Sequence, residues 1–253
     1  MKKTKEKTRY SSNIFYQAEG ASSSITSTNF QGTSAGCVIY ITGTVQLWGH
    51  TDRGGYNNTG VNLDNVTKVF ATKRAFAALK ADGSVVSWGA DTHSGIMSQN
   101  IKDQLDGTGS PVKHIYSNNF FFAALKEDGT VVTWTEAINE DLDFSYGDSA
   151  TDIQKIYVGL AHMAGINSQG SVVVWGKDSY SMNVNISQSS PPNNLSSGVI
   201  RIVWSSYAAA AIKNDGSVVT FGNDTYGADS SSVASSLTAE NDIIDVVASG
   251  NAF

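Results

Sequence analysis

Apolar residues recur along this chain in blocks. Five fifteen-residue stretches fall into register: 35–49 (AGCVIYITGTVQLWG), 75–89 (AFAALKADGSVVSWG), 121–135 (FFAALKEDGTVVTWT), 162–176 (HMAGINSQGSVVVWG) and 208–222 (AAAAIKNDGSVVTFG). Each has two apolar arms around a polar centre, the pattern of a β-hairpin. The central glycines, Gly43, Gly83, Gly129, Gly170 and Gly216, are spaced by 40, 46, 41 and 46 residues, the period of a repeat architecture. Three form Asp-Gly pairs with Asp82, Asp128 and Asp215, which predicts a tight type I′ turn with positive φ at both central residues. Two residues after each glycine stands a valine, and three further on a large aromatic: Trp48, Trp88, Trp134, Trp175 and Phe221.

The arms are almost continuously apolar, as in Phe122-Ala-Ala-Leu125 and Val172-Val-Val-Trp175. Strands of this kind are buried on both faces, so each hairpin needs neighbours above and below. Before each hairpin but the first lies a short apolar pair, Val66 and Val69, Val112 and Ile115, Ile153 and Ile156, Val199 and Ile202; a fifth such pair, Ile243 and Val246, follows the last. Each predicts one added strand. The segment after the aromatic supplies a fourth strand or a short helix, since Ile101 with Leu105 and Val233 with Leu237 have the spacing of one helical face.

The expected fold is therefore all-β, a β-propeller built from five short repeats over residues 25–253, with residues 1–24 a flexible basic, Ser-rich tail. A sixth copy starts at Ala252-Phe253. The terminal strand around Ile243 is expected to close the ring by pairing with the N-terminal hairpin, whose own preceding strand (25–30) is weak; a fragment of a longer array is the competing expectation.

Charge narrows the partners. The net charge is −6, but Lys2, Lys3, Lys5, Lys7 and Arg9 against Glu6 give the first ten residues a local +4, which leaves −10 for the rest. An acidic body repels phosphate, so nucleic acid is not expected as a partner. No run approaches a membrane span and no apolar region follows the basic N-terminus, so a monomeric protein of the cytoplasm is the default expectation. Export by a route independent of a signal peptide is the alternative.

The recurring Ala-Leu-x-x-Asp-Gly followed by Val-x-x-Trp-Gly resembles the repeats of the regulator of chromosome condensation family. The fourth copy, Gly159 to Gly176, comes closest to it, and the short units resemble bacterial members more than eukaryotic ones. The resemblance spans about residues 35–253. It implies a propeller, usually of seven blades, that acts mainly through protein–protein contacts; some members stimulate nucleotide exchange on small GTPases. This chain departs from the pattern in having five units, in Thr135 where glycine is usual, and in lacking an insert long enough for an exchange wedge. No exchange residue can be matched to a position here.

Candidate chemistry is sparse. Cys37 occupies a column otherwise filled by Ala77, Ala123, Ala164 and Ala210, which reads as a small core residue. The histidines (His50, His93, His114, His162) show no metal-ligand spacing. Asp91, Asp178 and Asp224 follow the hairpins at one offset and read as Asx-turns. No catalytic residue, metal or cofactor is expected. The residues expected to touch a protein partner are those of the variable loops: His93, the acidic stretch with Glu136, Glu140 and Asp141, Tyr180 and Tyr226. The leading expectation is a non-catalytic interaction scaffold. A carbohydrate-binding lectin or adhesin module and a guanine-nucleotide exchange factor for a small GTPase are the alternatives.

Overall fold

The computed structural model describes residues 35–90, 95–135, 142–143, 151–160, 162–177, 193–241, 243–250 and 252–253. Two strands, β1 (Ala35–Ile39) and β2 (Val45–Gly49), form the first antiparallel sheet. β3 (Val66–Ala71), β4 (Ala75–Lys80) and β5 (Val85–Gly89) form the second, and a short helix, α1 (Gln99–Gln104), leads to the third: β6 (Val112–Ser117), β7 (Phe122–Lys126) and β8 (Val131–Trp134). The fourth sheet is built from β10 (Ile153–Val158), β11 (His162–Asn167) and β12 (Val172–Lys177), with the two-residue β9 (Leu142–Asp143) added along β12. β13 (Val199–Trp204), β14 (Ala208–Lys213) and β15 (Val218–Gly222) complete the fifth. The five sequence copies thus fold as five hairpins, and the apolar pairs before the second to fifth copies fold as their added first strands. The expected tail (1–24) and the strand over 25–30 lie outside the described residues.

The hairpin turn differs from the expected type I′. Only the glycine has positive φ, at 75–82° in the five copies, while the preceding Asp does not. Lys80 N–H donates to Ser84 O at 2.9 Å and Gly83 N–H to Lys80 O at 3.0 Å. Three residues therefore close the loop, a type I turn ending in a left-handed glycine. The Asp is free to serve another purpose: Asp82 accepts both the backbone N–H (2.9 Å) and the hydroxyl (2.6 Å) of Ser84. Asp128 with Thr130 and Asp215 with Ser217 repeat the arrangement.

Consecutive sheets pack face to face, as the apolar arms require. Phe70, Ala77 and Leu79 of the second sheet meet Val112, Ile115 and Trp134 of the third in one cluster. Phe121, Ala123 and Leu125 likewise meet Ile153, Ile156 and Trp175, and Ala164 and Ile166 meet Ile202, Ala209 and Phe221. From the second unit on, the column aromatic faces the preceding sheet. Trp88, Trp134, Trp175 and Phe221 are accordingly 0–6% exposed, whereas Trp48, on the outward face of the first sheet, is 50% exposed. The fifth tryptophan, Trp204, lies outside the column and fills the space that the small Ala209 leaves beside Phe221.

One hydrogen bond ties each unit to the next. The carbonyl of the turn glycine accepts from the first residue of the following first strand: Val66 to Gly43, Val112 to Gly83, Ile153 to Gly129 and Val199 to Gly170, at 2.8–3.0 Å. Ile243 makes the same bond to Gly216 at 3.1 Å, and with Val246 it packs on Ala210, Ile212 and Val218. The C-terminal segment therefore occupies the first-strand place of a sixth unit. The expected closure is not formed among the described residues, where β1 pairs only with β2 and residues 243–250 lie against the fifth sheet.

The sheets fan outward like blades. First strands touch from unit to unit, through the rings of Phe70 and His114 (5.1 Å), through Tyr116 packed beside Ile153 and Ile156, and through Tyr157 Oη, which donates to Ile200 O at 3.0 Å. Farther out, connecting segments wedge leucines between the sheets: Leu63, Leu105, Leu195 and Leu237. Two of these also accept from the third strand, Leu105 O from Val85 N–H (2.8 Å) and Leu237 O from Val218 N–H (3.0 Å). Close contact at one edge and a wedge at the other make a propeller with the first strands innermost. Among the described residues no helix is long and apolar enough to cross a membrane.

Candidate functional site

Of the six residues singled out as partner contacts, His93, Glu136, Glu140, Asp141 and Tyr180 lie outside the described residues. Tyr226 ends a 3₁₀ turn (Asp224–Tyr226) just after β15. Its ring lies 4.5 Å from that of Tyr207 in the β13–β14 connection, and its carbonyl accepts from Ser205 Oγ at 3.1 Å. Tyr226 is thus packed on its own blade, half-buried, with Tyr207 beside it. The Asx-turn here belongs to Asn223, whose Oδ1 accepts from Thr225 N–H at 2.9 Å; Asp224 is exposed.

Asp91 and Asp178 lie outside the described residues, while Cys37 and His162 take structural places. Cys37 packs with Ala35, Ile39 and Leu47 against Val66, Phe76 and Trp88, and burial pushes its thiol up to about 11, which leaves it protonated and unreactive at neutral pH. His162 is buried and stacks on Trp204, rings 6.2 Å apart. No group of three His, Cys, Asp or Glu side chains among the described residues could hold a metal ion.

Two charged features run around the propeller. The first is a rim of carboxylates at the hairpin-turn end: Asp82, Asp106, Asp128, Asp152 and Asp215. Each carboxyl is held below its usual range, chiefly by the Ser or Thr hydroxyl it accepts from.

The second is a basic stripe on the innermost strands, which the sequence analysis did not single out. Each first strand carries a β-bulge after its first residue, between Val66 and Lys68, Val112 and His114, Ile153 and Lys155, and Val199 and Arg201. A bulge inserts one unpaired residue and re-aims its neighbours. Thr67 and Lys68, Gln154 and Lys155, Ile200 and Arg201 are all exposed in consequence, as is Lys113 beside the half-buried His114. The third-residue column reads Lys68, His114, Lys155, Arg201 and then Asp245, and the last two meet in an ion pair of 2.6 Å. At this junction, equivalent residues of successive units are within reach of one another. The signal was present in the apolar-x-x-apolar pairs, but only the fan of sheets shows that their middle positions converge.

No family model matches the chain, and no curated protein matches it. Among solved structures it is similar to human WBSCR16 (20% identity, TM-score 0.47, 76% of this chain and 60% of that one). It is also similar to Prp20p from Saccharomyces cerevisiae, a structure reported with binding to Gsp1p and histones (14%, 0.46, 78% and 57%). The ectodomain of the receptor kinase CR4 from Physcomitrella patens is a third (17%, 0.45, 74% and 49%). The chain spans about half to three fifths of the length of these proteins.

Proposed function

We propose that this chain is a non-catalytic protein-interaction scaffold, a propeller of the regulator of chromosome condensation type that presents its variable connecting segments to a protein partner. The observation that carries the reading is the contrast between frame and connections. The frame repeats the same buried columns and the same glycine-to-strand hydrogen bond from unit to unit. The segments that leave it follow no common plan: a 3₁₀ turn and coil after β2, an α-helix after β5, an added strand after β8, and three 3₁₀ turns after β15. A rigid repeated scaffold with irregular surface segments places recognition on those segments.

A lectin with one sugar per blade would use the aromatic column, yet four of its five members are buried against the preceding sheet. The test is affinity capture with the purified full chain, followed by reconstitution with the purified protein and cross-link mapping. A saturable complex with cross-links on the connecting segments is expected. Binding on a glycan array without any stoichiometric protein complex overturns the reading.

A further inference from the structure

We infer that the innermost strands form a docking surface for an extended acidic peptide segment, its carboxylates placed against Lys68 and Lys155. This rests on the interaction reading above and names the chemistry of the partner.

The stripe is a concentration of cations in a body of net charge −10. In the second to fifth units the two bulge positions hold Thr67 and Lys68, Lys113 and His114, Gln154 and Lys155, Ile200 and Arg201, all exposed except the half-buried His114 and without one carboxylate. The fold does not require charge here, because Val66 and Val69 and their equivalents on either side supply the packing. Like charges on neighbouring strands disfavour the assembly. Among the described residues, neither Lys68 nor Lys155 has a carboxylate within ion-pair distance; Lys155 Nζ instead lies over the Tyr157 ring, 4.8 Å from its centre.

The chain itself displays what the stripe accepts. Residues 243–247 run along the fifth sheet, fixed by the Ile243-to-Gly216 bond and the packing of the half-buried Ile243 and Val246, and deliver Asp245 to Arg201 at 2.6 Å. This is a peptide segment presenting one carboxylate to one cation of the column. The stripe runs from unit to unit, so an acidic segment of a partner lying across the first strands meets Lys155 and Lys68. Packed sheets stand about 10 Å apart and an extended chain rises about 3.3 Å per residue, so acidic residues about six apart match Lys155 and Lys68, which lie two units apart with His114 between them. The rim selects against polyphosphate. A nucleic acid carries a charge every ~1.7 Å of duplex and would set phosphates against Asp82, Asp128, Asp152 and Asp215, whereas a peptide can be neutral between its carboxylates.

The test measures fluorescence anisotropy of a labelled Ser/Gly peptide carrying two glutamates six residues apart, alongside its glutamine counterpart. The glutamate peptide is expected to bind, the glutamine one at least tenfold more weakly. Lys68→Ala with Lys155→Ala should weaken binding about tenfold without moving the thermal midpoint, both side chains being exposed. Lys102→Ala, on the exposed face of α1, serves as the unaffected control. Equal binding of the two peptides, indifference to the double substitution, or no binding at all overturns the assignment. So does displacement by a single-stranded oligonucleotide at lower concentration than by unlabelled glutamate peptide. If the peptide fails while the double variant still forms its stoichiometric protein complex, the axial surface falls and the scaffold reading stands.

Discussion

At the scale of single residues, the turn glycines do two jobs at once. Gly129 has φ +81°, and a Cβ there would stand 2.9 Å from the Cα of Asp152 in the next unit. Left-handed backbone and close approach both exclude a side chain, so Gly129→Ala should cost about 1–3 kcal/mol, read from the urea midpoint. The Asp-Gly signature located these turns correctly but suggested the wrong type, because a carboxylate that caps Ser84 or Thr130 looks in sequence like one needed for positive φ. Cys37 gives a pH test. Its folded pKa is raised from 9.0 to about 11 by burial, so the folded state holds its proton more tightly than the unfolded chain. The associated stability is complete below about pH 9 and is lost as pH rises toward 11. Cys37→Ala should flatten the difference in urea midpoint across that window. An unchanged slope would mean that the thiol is solvated.

At the scale of elements, the aromatic column shows that one sequence position can carry different energies. Trp175 is fully buried between the third and fourth sheets, and Trp48 half faces solvent on the first. Trp175→Ala should therefore cost about 3–5 kcal/mol and Trp48→Ala clearly less, compared by thermal or chemical denaturation. Equal losses would show that the outward face of the first sheet is covered in solution. The helical spacing of Ile101 and Leu105 was legible and forms α1, with Leu105 buried as a wedge. The same spacing at Val233 and Leu237 gives only a 3₁₀ turn, with Val233 48% exposed. Periodicity marks a local preference, and tertiary contacts decide how much of it is used.

At the scale of the whole molecule, each inner sheet leans on two neighbours, and stability should grade along the stack as in other repeat proteins. Native-state hydrogen exchange is expected to show the strongest protection in β7, β11 and β14, whose residues are almost all buried. The weakest should fall in β1, β2 and residues 243–250. Uniform protection from end to end would indicate that the outer units are capped. Tyr226 was legible as a loop aromatic, but its partner Tyr207 was not, because they are brought together across nineteen residues by the return of the blade.

The sequence by itself determined the five units, their hairpins, the added strands and the burial of both hairpin faces, since all of these follow from local periodicity and the need to hide apolar arms. Tertiary structure alone decided which strand lies innermost, which face of the first sheet is left open, and that the C-terminal segment rests on the fifth sheet while β1 pairs only with β2. It also decided that Lys68, His114, Lys155 and Arg201 form one stripe. These depend on how sheets fan when leucines wedge one edge apart, and residues some forty positions distant become neighbours only through that geometry.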